Sequence, residues 1–102
     1  MSRGKIEITY HAKQRLAERM PNIHPSNYYE MVCAARYKGE NKNTLWKINP
    51  RLAQYICQRF YGNHSTEIRV YKDHVFVFCG NRGHSRTLRT VVDIHEKFLA
   101  KI

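Results

Sequence analysis

The pattern of apolar and polar positions divides the chain into a helical first half and a strand-forming second half. Residues 6–8 alternate apolar and polar side chains, which is typical of a short extended segment. Apolar side chains then recur every four residues and predict a helix from about residue 10 to 20. Its buried stripe is Ala12, Leu16 and Met20.

Two more helices are predicted before residue 61. Pro25 begins the first, which runs to about Lys38, and Gly39 fits the left-handed position that often follows a helix end. Its core face is Tyr28, Met31, Val32 and Ala35. Residues 40–49 are mostly polar and are expected to form a loop or extended link. Pro50 begins the other helix, where apolar residues recur at helical spacing: Leu52, Tyr55, Ile56 and Phe60.

The second half predicts three strands. Residues 66–72 alternate, whereas residues 74–79 are apolar on both faces, which is typical of a central strand. A basic loop, 80–85, leads to a last strand over 86–94. One face of that strand is expected to carry Leu88, Thr90, Val92 and Ile94. A short terminal helix is expected from His95.

This order of elements predicts one α+β domain spanning residues 1–102. Because the helices come first and the strands follow as an antiparallel meander, we expect the N-terminal helices to pack on one face of a small sheet. The chain shows no apolar signal-peptide core and no run of about 18 apolar residues, so no membrane span is expected. A cytoplasmic protein is the expectation.

The charge changes the picture more than any other property. Eighteen Lys and Arg residues face eight Asp and Glu residues, which gives a net charge of +10. Such an excess favours binding to polyanions such as RNA or DNA, although a basic, solvated surface remains the alternative.

Cys33, Cys57 and Cys79 are odd in number and widely spaced, which favours reduced thiols over a disulfide framework. A paired or reactive cysteine is the alternative.

The first predicted helix carries a cationic stripe beside its apolar one. Residues four apart in a helix differ by only about 40° in direction, so His11, Arg15 and Arg19 share one edge. Thr9 stands at the N-cap position, and Glu18 is placed to pair with Arg15. Arginine forks suit phosphate, and histidine exchanges protons near neutral pH. The alternative is a solvated helix face whose arginine stems cover the core edge.

The same segment carries a resemblance. From Ile8 to Met20 the chain reads ITYHAKQRLAERM, with His-Ala, then Arg three residues after the Ala, then Glu-Arg. This resembles the opening motif of a family of small bacterial and phage proteins, a domain of unknown function that itself resembles the RelE-type toxin and colicin-type ribonuclease fold. The resemblance extends over nearly the whole chain and implies a RelE/barnase-like α+β fold. The loop from Gly80 to Arg86 is longer than the tight turn that this pattern would have.

Metal-independent RNA cleavage needs a base, an acid and cations that stabilise the phosphorane. The expected catalytic residues are His11 and His84 for proton transfer, Arg15 and Arg19 for the phosphate, and Thr90 to hold a phosphate oxygen or orient an imidazole. The residues expected to extend the nucleic-acid contact are Lys13, Tyr71, Arg82, Arg86 and Arg89, and Arg86 is also expected to bind the phosphate. Tyr10 is a further candidate for stacking on bases.

Metal and nucleotide cofactors are not expected. The histidines and cysteines have no zinc-type spacing, and no glycine-rich loop is followed by Lys and Ser or Thr.

Three functions remain open. One is a toxin-type endoribonuclease, the second is a non-catalytic RNA- or DNA-binding module, and the third is a phage-encoded protein that binds a host enzyme. The corresponding partners are RNA or DNA, an antitoxin, or a host protein.

Overall fold

The computed structural model describes residues 6–60, 66–80 and 86–94, and it is an α+β structure. The helices are α1 (Tyr10–Arg19), α2 (Tyr28–Lys38), α3 (Lys42–Ile48) and α4 (Pro50–Phe60), with a 3₁₀ turn at Pro25–Asn27. The strands are β1 (Ile6–Ile8), β2 (Thr66–Tyr71), β3 (His74–Gly80) and β4 (Arg86–Asp93). The terminal helix expected from His95 lies outside the described residues.

The four strands form one mixed sheet in the order β1-β4-β3-β2. β2, β3 and β4 are antiparallel neighbours, which confirms the predicted meander. β1 adds to the edge and runs parallel to β4, with Ile8 opposite Leu88. β3 lies between two strands, as its apolar run from Val75 to Phe78 predicts.

Helices cover both faces of the sheet, so the expectation of a single helical layer is wrong. Phe76 and Phe78 lie in a core with side chains of α1 and α2. Val75 and Val77, which alternate with them, lie in a second core with side chains of α3 and α4. The physical reason is the apolar content of β3, since a strand with apolar side chains on both faces needs a cover on each.

α3 occupies the segment that was expected to be a loop or extended link. Asn41 caps it, because its side chain accepts a hydrogen bond from the Thr44 amide at 2.9 Å. Leu45 anchors the helix in the second core. A helix of 7 residues contains too few apolar positions to show a helical period.

Only part of the apolar set that was predicted for the core face of α4 is buried. Leu52 and Ile56 are buried as predicted, but Tyr55 is exposed, and its hydroxyl accepts a hydrogen bond from Arg59 at 2.6 Å. The side chain of Phe60 lies outside the described part of the chain.

A β-bulge in β4 changes which side chains share a face. Leu88 is opposite Phe78 and Thr90 is opposite Val77, so Arg89 is the extra residue. Leu88 therefore lies in the core under α1 and α2, whereas Ile94 lies in the core under α3 and α4. The predicted single face containing Leu88, Thr90, Val92 and Ile94 is wrong because an inserted residue shifts the alternation.

Gly39 follows α2 as predicted but does not adopt the left-handed conformation. Its φ of −69° and ψ of 158° are extended. A Cβ at this position would lie 2.5 Å from the Ala35 carbonyl oxygen and 3.0 Å from the Val70 carbonyl oxygen. The glycine is needed for space, since the next residue, Glu40, pairs directly with Val70.

This close approach leads to a stability prediction. Gly39→Ala should lower the free energy of unfolding by about 1–3 kcal/mol, because a Cβ forces backbone carbonyls apart. Gly39→Asn should cost at least as much, whereas a left-handed site would tolerate Asn. Urea denaturation measures both, with Gln54→Ala on the exposed side of α4 as a control expected to change stability by under about 0.5 kcal/mol. An asparagine variant as stable as wild type would contradict the steric explanation.

Candidate nucleic-acid interface

The predicted edge of α1 exists and faces outward at its first two turns. Thr9 caps the helix, because its hydroxyl accepts a hydrogen bond from the Ala12 amide at 3.0 Å. Ala12 and Leu16 are fully buried against the sheet, and this orientation leaves His11 exposed and Arg15 at the boundary. Two of the three predicted stripe residues, His11 and Arg15, therefore lie together on the outer edge of α1.

Arg15 connects the exposed groups of this edge. Its guanidinium donates to Glu18 Oε1 at 2.8 Å, as the three-residue spacing predicts. Its Nε also points to His11 Nε2 at 3.4 Å. This contact places the imidazole of His11 beside the guanidinium of Arg15, one helical turn away.

Arg19 is turned away from the other two and into an ion-pair cluster at the end of β4. Its guanidinium donates to Asp93 Oδ2 at 3.0 Å. The other oxygen of Asp93 lies 3.0 Å from His74 Nε2, and that nitrogen is also 3.1 Å from the Arg19 carbonyl oxygen. His74 Nδ1 lies 2.7 Å from the Lys72 carbonyl oxygen, within a two-residue turn where both Lys72 and Asp73 have positive φ.

The His74–Asp93–Arg19 cluster has a structural role. Both ring nitrogens of His74 have partners, so the histidine joins the β2–β3 turn to α1 and β4. Arg19 is consequently a less accessible phosphate ligand than Arg15, because a substrate would have to compete with a carboxylate from another element.

The start of α1 is docked on the bulge of β4. The Thr9 hydroxyl donates to the Leu88 carbonyl oxygen at 3.2 Å and makes a longer contact of 3.5 Å with the Arg89 carbonyl oxygen. Bulges commonly redirect side chains beside functional sites, and Arg89 is exposed here. The structure thus brings the backbone of Arg89 to the first turn of α1.

Thr90 is not brought to the α1 edge. Its partner in the sheet is Val77, which lies in the core under α3 and α4, so Thr90 is on the opposite face from α1. The shift follows from the bulge, and it separates Thr90 from His11. His84 and Arg82 lie outside the described residues, so the expected pairing of His84 with His11 stays a prediction.

Lys13 and Tyr71 lie away from the stripe. Lys13 is on the other side of α1, where it lines a surface pocket of about 280 Å³ with Ile8 and Tyr29. Tyr71 packs its ring edge-on against Phe76 at 6.5 Å and is partly buried, so it contributes to the core. Tyr10, by contrast, is 76% exposed.

Tyr29, which lines the same pocket as Lys13, has a raised pKa. A hydrogen bond with the Cys33 side chain, followed by electrostatic interaction with that side chain and by burial, raises the pKa of Tyr29 above its ordinary value.

Arg86 belongs to a second cationic cluster, which we call the Glu67 cluster: Arg36, Glu67, Arg69 and Arg86. Glu67 Oε2 accepts from Arg69 at 2.8 Å and lies 3.4 Å from Arg36, while Oε1 accepts from Arg86 Nε at 3.1 Å. Three guanidiniums from α2, β2 and β4 thus surround one carboxylate.

Sequence reasoning missed the residues that hold these clusters together. Asp93 gave no sign of pairing because its partners, Arg19 and His74, are far away in the chain. Glu67 and Arg69 did offer a signal, since they are two residues apart in a predicted strand and therefore share a face.

Within the described residues, no group of three or more His, Cys, Asp or Glu side chains is placed to hold a metal ion. The three cysteines are free thiols and are partly buried. In the same part of the chain, no helix has the length and apolar content to cross a membrane. No family model, curated protein or solved structure matches this chain.

The Glu67 cluster leads to a prediction about stability. Glu67→Gln should lower the free energy of unfolding by about 1–3 kcal/mol, because three partly buried guanidiniums lose their shared carboxylate. Glu18→Gln is the matched control and should cost under about 1 kcal/mol, since its pair with Arg15 is exposed. Chemical denaturation measures both, and equal losses for the two variants would contradict the prediction.

Proposed function

We propose that this chain binds the phosphate backbone of RNA along the exposed edge of α1. The observation that carries the proposal is the position of Arg15, between His11 and Glu18 on a helix edge that the core leaves outward. Exposed ion pairs contribute under about 1 kcal/mol, so an RNA phosphate can replace Glu18 as the partner of Arg15. The net charge of +10 favours the encounter.

The geometry supports a particular division of roles along this edge. Arg15 contacts a phosphate, and Tyr10 is exposed at the same end for stacking on a base. Arg89 is exposed and comes directly after Leu88, whose carbonyl oxygen accepts the Thr9 hydroxyl, so it adds a cation near the start of α1. Arg19 supports the edge through its bond to Asp93.

Endoribonuclease activity is the second candidate, and the contact between His11 and Arg15 favours it. A neutral His11 can take the 2′-hydroxyl proton while Arg15, one helical turn away, stabilises charge on the phosphate. The RelE/barnase-like resemblance of the opening motif supports the same activity. The acid that protonates the leaving oxygen would be His84 on this proposal.

Removal of the Arg15 charge should weaken RNA binding and reduce its dependence on salt. Arg15→Ala is expected to lower the slope of log affinity against log salt by about 0.7, the value for one single-strand phosphate contact. Fluorescence anisotropy with a labelled mixed-sequence RNA at several salt concentrations measures it. Arg51→Ala removes an equal charge from the exposed face of α4 and should leave the slope unchanged.

Two results would count against this interface. Equal losses for Arg15→Ala and Arg51→Ala would indicate nonspecific attraction to the whole molecule. Absence of RNA retention at low salt would exclude RNA and direct attention to a protein partner, such as an antitoxin or a host enzyme.

The cleavage proposal makes a separate prediction. Wild type should cut RNA in EDTA and leave 2′,3′-cyclic phosphate ends, and His11→Ala should cut about 10²- to 10⁴-fold more slowly while still binding RNA. His24→Ala, which removes an exposed histidine at the start of the 3₁₀ turn, is the matched control and should cut normally. Cleavage that needs a divalent metal, or that survives in His11→Ala, would overturn the mechanism.

A further inference from the structure

Charge at the Glu67 cluster is unbalanced in a partly buried place. Three arginines share one glutamate, so the cluster carries a formal charge of about +2. The side chains of Arg36, Arg69 and Arg86 are 19%, 16% and 28% exposed, and that of Glu67 is 25% exposed. Water screens such charges incompletely, so the guanidiniums repel one another.

Hydrogen bonding at the cluster is unbalanced in the same direction. Each guanidinium has about five N–H donors, and one carboxylate offers about four lone-pair positions. The Nε groups of Arg36 and Arg69 are enclosed and have no acceptor in the structure. These enclosed Nε groups are out of reach of a ligand, so a second acceptor would bind at the outer N–H groups of the partly exposed side chains, where the excess positive charge favours an anion.

The chain segments next to the strands of the cluster are low in acidic residues. Residues 61–65, before β2, read YGNHS, and residues 81–85, between β3 and β4, read NRGHS. Neither segment contains Asp or Glu. The carboxylates of Glu18 and Asp93 are already bonded to Arg15 and Arg19.

We infer that the Glu67 cluster is a binding site for a phosphate dianion, held by Arg36, Arg69 and Arg86 and oriented by Glu67. A phosphate monoester carries close to two negative charges, which matches the charge imbalance, and its three acceptor oxygens suit several guanidiniums at once. Glu67 holds the three forks in place, since Arg69 and Arg86 donate hydrogen bonds to it and Arg36 forms an ion pair with it. The same chemistry belongs to free phosphate and to a nucleic-acid strand that ends in phosphate.

This site is separate from the α1 edge. Arg86 begins β4 and Asp93 ends it, so the Glu67 cluster and the Arg19–Asp93 pair are roughly 20 Å apart along the strand. The site can thus bind phosphate whether or not α1 binds RNA.

Isothermal titration of the folded chain with inorganic phosphate near neutral pH, at constant ionic strength in chloride, tests the site. We expect saturable binding of one phosphate, weakened about tenfold or more in Arg36→Gln and in Arg86→Gln. Arg51→Gln, with the same change of charge on α4, should bind phosphate as wild type does. No saturable binding, or equal loss in all three variants, would overturn the inference.

Two further measurements keep the test decisive. If Arg36→Gln does not fold, Arg86→Lys keeps the charge but loses the planar fork, and it should still bind phosphate several-fold more weakly. Wild-type affinity in Arg86→Lys would overturn the site as described. A thermal shift induced by phosphate but not by chloride, present in wild type and reduced in Arg86→Gln, would support it.

The source of the phosphate and the proposed RNA binding are resolved by one comparison. Tighter binding of a 5′-phosphorylated RNA oligonucleotide than of its 5′-hydroxyl form, lost in Arg86→Gln, assigns the site to strand ends. Equal binding of the two oligonucleotides, with inorganic phosphate still bound, assigns it to free phosphate. Loss of RNA binding in Arg15→Ala with phosphate binding intact separates the α1 proposal from this one.

Discussion

Burial of both faces of β3 is the constraint on which the rest of this structure depends. Phe76 and Phe78 require α1 and α2 on one face, and Val75 and Val77 require α3 and α4 on the other. With both faces covered, the described arginines of the sheet lie on the edge strand β2, at the start of β4 and at its bulge, as Arg69, Arg86 and Arg89 do. At such places a long stem can pack on the core while the guanidinium reaches water.

Carboxylates decide which of these arginines remain accessible. Asp93 engages Arg19 together with His74, which makes that end of β4 a structural junction. Glu67 gathers three arginines at the other end, and it leaves positive charge in excess. Among the carboxylates of the described residues, only Glu18 of the same helix pairs with Arg15. The partner of Arg15 can therefore change without disturbing the sheet.

Local signals in the sequence predicted much of the fold. Thr9 and the four-residue spacing of Ala12 and Leu16 specified α1 because capping and amphipathic burial act within one helix. α3 escaped detection because its formation depends on an asparagine cap and on one leucine, Leu45, that packs on distant strands. The bulge in β4 was not predicted either, because the assignment of alternating side chains to two faces assumes a strand without an extra residue.

The candidate site was predicted only where its residues share an element. His11 and Arg15 are neighbours on α1, so their spacing was sufficient to place them together. The Glu67 cluster joins α2, β2 and β4, and its residues meet only after the sheet has formed. Arg86 was expected to bind phosphate, but the sequence did not predict the partners that surround it. These partners lie far away in the chain, since Arg36 and Arg86 are 50 residues apart.

The two cationic places differ in how an anion would enter, and this difference gives each a distinct physical character. At Arg15 a phosphate replaces an exposed carboxylate, so the exchange costs little and suits transient contact along a nucleic-acid strand. At the Glu67 cluster a phosphate adds to a carboxylate that remains in place, so it relieves repulsion between guanidiniums that are already fixed. Pre-organised donors lose little freedom on binding, and a single phosphate can therefore be held there without contacts from the rest of a strand.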